Sequence, residues 1–120
     1  MIQTRGIRGA TVAEKNGSRE IISASEELLS AMVTLNGVKR QDIVSIIFSV
    51  TKDLNADFPA KAARKLGWTL TPLLCTYEIS VPKSLKKCIR VLMHVNTKKS
   101  QDAIKNVYIG EARKLRPDLG

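Results

Sequence analysis

Only one stretch of this chain carries a helical hydrophobic period long enough to cover a sheet; the other strongly patterned segments are strand-like. Ile21, Ile22, Ser25, Leu28, Leu29, Met32 and Leu35 recur at three- and four-residue spacing. That predicts an amphipathic helix of about five turns, N-capped by Ser18 and closed by Asn36-Gly37. Around it lie segments read as strands: Ile2 to Thr11, Asp42 to Val50, Leu73 to Ile79, Leu85 to Thr97, and Ile104 to Ile109 as a last strand or strand edge. Pro59 suits the first turn of a short helix through Ala60, Ala62, Ala63 and Leu66, ended by Gly67.

The order β-α-β-α-β-β-β gives an α+β or mixed α/β domain with about five strands, expected to fill residues 1–120 as a single domain. One long helix covers one face of such a sheet. In the clearest strand Ile89, Val91, Met93 and Val95 share one face, while Cys88, Arg90, Leu92 and His94 share the other. That second face carries Leu92 and needs cover from elsewhere. A homo-oligomer is the economical answer, and it also protects strand edges.

Composition narrows the chemistry. With a single histidine, His94, and two cysteines, Cys75 and Cys88, the chain has no HExxH, CxxC or zinc-finger spacing, and no metal site is expected. GxGxxG and Walker loops are absent too. The excess of 20 Lys+Arg over 11 Asp+Glu, net +9, attracts anions. Nucleic acid is one class of partner, although 4% aromatics leave little to stack on unpaired bases. Met1 to Arg8 lacks an apolar core of the secretory kind, and Ile43 to Val50 is far short of a membrane span. The expected location is cytoplasmic, with the cysteines reduced.

Arginines, carboxylates and hydroxyls must then carry the chemistry. Arg90, in mid-strand, is solvated, paired with a carboxylate, or lining an anion pocket. Arg8, before Gly9, has the same ambiguity. Glu78 is the only charged residue from Leu70 to Val81 and reads first as a strand-end residue. Cys75 reads as a small buried hydrophobe, His94 as a satisfied sheet residue, and Tyr108 as core or as a phenol donor. From the residues alone the reading is a small basic α+β oligomer that binds an anion.

Four blocks add to it: Arg5-Gly6-Ile7-Arg8-Gly9-Ala10-Thr11, Phe58-Pro59-Ala60-Lys61-Ala62, Leu85-Lys86-Lys87-Cys88-Ile89-Arg90-Val91, and Val107-Tyr108 followed by Leu115-Arg116-Pro117-Asp118-Leu119. In order and spacing they resemble the trimeric α/β class of chorismate mutase, which is distinct from the all-helical class. The resemblance implies a homotrimeric pseudo-barrel with active sites at subunit interfaces. It also implies the Claisen rearrangement of chorismate to prephenate without cofactor, nucleic acid or membrane. By resemblance Arg90 meets the ether oxygen and a substrate carboxylate, and Arg8 holds a carboxylate. Glu78 accepts a hydrogen bond from the ring hydroxyl with Cys75 nearby, and Tyr108 donates to a carboxylate. Phe58, Lys61, Arg64 and Leu115 belong to the neighbouring wall, the mouth and the C-terminal lid. Leu74 stands where a hydroxyl residue is more familiar, so its side chain loses that bond. The loop before Trp68 is one residue shorter than the family's, and the tail is shorter as well. Two other readings stay beside this one: a non-catalytic ligand-binding trimer of the same architecture, and a basic nucleic-acid-binding domain.

Overall fold

A computed structural model describes residues 1–115 of the chain. The elements are β1 (Gln3–Val12), α1 (Ser18–Asn36), β2 (Ile43–Val50), α2 (Lys61–Lys65), β3 (Leu73–Tyr77), β4 (Cys88–Thr97) and β5 (Val107–Tyr108). The strands form one mixed sheet in the order β3-β2-β4-β1-β5. β4 runs antiparallel to both its neighbours, while β3 and β5 lie parallel to β2 and β1 at the edges.

All the long-helix packing falls on one face. Ile21, Leu28, Leu29 and Met32 of α1 are fully buried against Ile7, Ile46, Phe48, Ile89, Met93 and Val95. Each such side chain contributes about 1.5–3 kcal/mol by leaving water. A helix is about 10 Å wide and five strands span about 20–25 Å, so α1 cannot cover the sheet alone. Ala62 and Ala63 of α2, with Leu54 and Trp68, complete the layer on the same side. The opposite face stays open, with Leu74 60% and Leu92 37% exposed.

Several boundaries differ from the sequence reading, each for a local reason. Ser18 is the first residue of α1 rather than its cap; Gly17 occupies the cap position, and Ser18 Oγ instead donates to Asp57 Oδ2 at 2.5 Å. Gly37 closes the helix as expected, in the left-handed region at φ 61°. β4 begins at Cys88, not Leu85, because Lys87 adopts φ 52° and breaks the extended run. β3 stops at Tyr77 instead of Ile79, and the last strand is only Val107–Tyr108, after a 3-10 turn at Gln101–Ala103. His94 is satisfied as expected, with its Nδ1 3.2 Å from Ser45 Oγ. The sequence signal at Arg116-Pro117-Asp118, read as the end of regular structure, and Leu119 lie outside the described residues.

Candidate active site

Strand register lines up one residue from each of the five strands on the open face. Thr76 pairs with Ser49, Ser49 with Arg90, Arg90 with Ala10, and Ala10 with Tyr108. Alternation then puts Leu74, Ile47, Leu92 and Arg8 in the next row, about 7 Å along the strands. Arg90 and Tyr108 are thus about 10 Å apart, two strand spacings, with only the methyl group of Ala10 between them.

Glu78 joins this group just beyond β3. Its amide donates to the Val50 carbonyl at 2.8 Å, extending the ladder by one residue. The even separation from Leu74 and Thr76 keeps its side chain on the open face. There Glu78 Oε1 accepts from Arg90 Nη1 at 3.1 Å, so of the three states left open for Arg90 the chain adopts the carboxylate pair. The pair lines a cavity of about 440 Å³ with Ser49, Thr51, Cys88 and Leu115. With 42% of the Arg90 side chain and 21% of that of Glu78 accessible, it is worth about 0–1 kcal/mol to the fold. A ligand carboxylate can compete for the guanidinium.

Tyr108 is 8% exposed and packs with Ala10, Ala112, Leu85 and Leu115 at the rim of this cavity. Arg8 is exposed; its amide donates to Asn106 Oδ1 at 2.8 Å, which ties β1 to the β5 edge. Among the described residues its guanidinium takes no hydrogen-bond partner, so its charge is available on the open face.

The remaining expected residues form a second group. Cys75 pairs with Phe48 in register and packs toward the helix-covered core, on the opposite side of β3 from Glu78. The expectation of Cys75 beside Glu78 is therefore not met within one chain. β3 neither bulges nor ends between them early enough to bring both to one face, since it runs regularly to Tyr77. Cys75 shares a groove of about 340 Å³ with Asp57, Phe58 and Pro59. Phe58 is 66% exposed above it. Lys61 pairs with Asp57 at 2.8 Å, and Arg64, one turn further, is exposed. Leu74 points out from the open face. The expected residues thus fall into two separated groups, one with Arg90, Glu78, Tyr108, Leu115 and Arg8, the other with Phe58, Lys61, Arg64 and Cys75.

Burial pushes the Cys88 thiol up to about 11, against the opposing pull of Arg90, so it is neutral beside the guanidinium. Burial also raises Cys75, opposed by the Ala60 amide. No group of three or more His, Cys, Asp and Glu side chains suited to a metal ion occurs among the described residues. A larger cleft, about 740 Å³ between the start of α1 and Leu85 to Lys87, holds none of the expected residues; volume alone does not mark the site. Ser49 and Thr51 line the Arg90 cavity without having been picked out from the sequence, because their alignment depends on the pairing of β2 with β4.

A family model described as chorismate mutase type I matches residues 4–119. The chain is 47% identical to chorismate mutase AroH of Bacillus subtilis over 96% of its own length and 91% of that protein's. It is 46% identical to chorismate mutase AroH of Thermus thermophilus, with 96% and 95% covered. The solved structure of a chorismate mutase from Clostridium thermocellum superposes with a TM-score of 0.90 at 54% identity, covering 91% of this chain and 97% of that one.

Proposed function

This chain belongs to the chorismate mutase type I family, and we propose that its active centre is built on Arg90, with Glu78, Arg8 and Tyr108 around it. The activity is the isomerisation of chorismate to prephenate, a unimolecular rearrangement in which the ether C–O bond breaks as a new C–C bond forms. All the electrons move within the substrate. What a protein adds is a cage for the compact, chair-like conformer and positive charge where the ether oxygen gathers electron density.

The observation that carries this reading is the Arg90 guanidinium, held at 3.1 Å by Glu78 in a cavity on the open sheet face. A fork of N–H donors can meet a carboxylate and the ether oxygen together, which the single ammonium of lysine does less well. Glu78, displaced from Arg90 by substrate, accepts from the ring hydroxyl. Arg8 and the Tyr108 phenol bind carboxylates that are charged in ground and transition states alike. Phe58, Lys61, Arg64, Leu74 and Cys75 complete the wall from a neighbouring copy in a homotrimer. Two half-sites on one chain and a bare apolar sheet face support that arrangement. The reading includes a cytoplasmic location; no described helix is long and apolar enough to cross a membrane.

The test is direct. Purified protein mixed with chorismate should consume it with first-order loss of its ultraviolet absorbance and yield prephenate. The Arg90→Ala variant should remain folded and lose this activity; full activity in that variant overturns the assignment.

A further inference from the structure

The hook Thr51-Lys52-Asp53 that follows β2 grips the two peptide units ahead of Arg90. Both carboxylate oxygens of Asp53 accept the Lys87 amide, at 3.1 and 2.9 Å. Thr51 Oγ1 accepts the Cys88 amide at 3.0 Å and donates to Asp53 Oδ1 at 2.5 Å. The Thr51 amide donates to the Cys88 carbonyl at 3.1 Å, and the Ala13 amide to the Lys87 carbonyl at 2.8 Å. The residue so held, Lys87, sits at φ 52°, a conformation unfavourable for a side chain with a Cβ and maintained only where surroundings impose it. One position before the hook, the Val50 carbonyl accepts the Glu78 amide at 2.8 Å. Four consecutive residues, Val50 to Asp53, therefore set the backbone on which both Glu78 and Arg90 are mounted.

We propose that Asp53 is a positioning residue for the rearrangement: its two bonds to the Lys87 amide hold the left-handed turn that fixes where β4 begins, and so where Arg90 stands against Glu78 and the substrate. The inference rests on the role given to Arg90 above. Asp53 does not touch the reacting atoms; it acts through three residues of backbone. An aspartate that merely stabilised the fold would affect the amount of folded protein and leave turnover per folded site unchanged. A positioning residue changes kcat in the folded protein, and relieving the strain it opposes should compensate for its loss.

Asp53→Ala, Asp53→Asn and Asp53→Ala/Lys87→Gly are assayed for kcat and KM with chorismate, alongside Arg90→Ala, after circular dichroism and urea titration establish the folded fraction. Misplacement of the guanidinium by a fraction of an ångström should lower kcat of Asp53→Ala about 10- to 100-fold, with KM changed less than about threefold. Asp53→Asn keeps one acceptor oxygen without the charge and should lose less; if Asp53→Ala does not fold, Asp53→Asn carries the comparison with and without Lys87→Gly. Glycine accepts a positive φ at no cost, so Lys87→Gly should restore kcat to within about threefold of the parent. A folded Asp53→Ala with unchanged kcat overturns the proposal, as does a loss that Lys87→Gly fails to repair. An active Arg90→Ala overturns the reading of Arg90 itself, whereas an inactive Arg90→Ala beside a fully active Asp53→Ala overturns only the role of Asp53.

Discussion

Arg90 spends the free chain in an ion pair too exposed to be there for stability. Its charge should matter most when the C–O bond stretches, and so more to the transition state than to bound chorismate. Arg90→Ala is expected to lower kcat/KM by a factor equivalent to about 4–7 kcal/mol, more than one lost neutral oxyanion donor, because a full charge is removed from a site that bound substrate and the neighbouring copy close to water. Arg90→Lys should recover part of this. Arg8→Ala should instead raise KM with kcat nearly kept, since the carboxylate it holds is present in both states. Steady-state kinetics separate the two, and an Arg90→Ala kcat within about tenfold of the parent overturns the electrostatic mechanism. The position of Arg90 on the face opposite Ile89 and Val91 could be read from alternation alone. Its pairing with Glu78 could not, because that depends on where β3 stops and on a strand lying between them.

At the scale of elements, the close seat of α1 on β1 rests on Gly9. A Cβ there would lie 2.5 Å from Met32 Sδ and 3.0 Å from Leu28 Cδ1, and both those side chains are fully buried. Gly9→Ala should cost about 1–3 kcal/mol, read as a lower urea midpoint at unchanged slope; an unchanged midpoint would mean that Met32 swings aside freely. The other end of α1 is tied down by Asp57. The Lys61 ammonium, then the Ser18 hydroxyl and the Phe58 amide, hold its carboxyl at about 2. A carboxylate depressed on folding stabilises above the ordinary value of about 3.9, and that contribution fades as pH falls through about 2. Asp57→Asn should therefore show a smaller drop in urea midpoint than the parent between pH 4 and pH 2, and high salt should narrow the difference. The helix itself was legible because period and the Asn36-Gly37 stop are local signals. The late start of β4 was not, since the left-handed turn at Lys87 is imposed by Asp53, more than thirty residues away in sequence.

For the whole molecule, the sequence implied one covered and one uncovered sheet face, and the two sides of the sheet differ accordingly. On the open side Leu74, Ile47 and Leu92 form an apolar row beside Arg8, and Ile79 and Val81 stand exposed around the Arg90 cavity. If copies of the chain cover this face in a closed ring, each active site takes Arg90 from one copy and Arg64 from the next. Sedimentation should then give about three times the 13.2 kDa monomer mass. The stronger test uses two impaired variants. Arg90→Ala retains an intact Arg64 half-site, and Arg64→Ala retains an intact Arg90 half-site. Unfolded together in equal amounts and refolded, they should assemble at random, and a site with both arginines needs one particular variant on each side. About a quarter of the sites should then be complete, so activity should rise from near zero toward about a quarter of the parent's. Mixing without unfolding should restore activity only as fast as subunits exchange. Sites contained within single chains predict no recovery at any mixing ratio, and that result would overturn the shared-site arrangement.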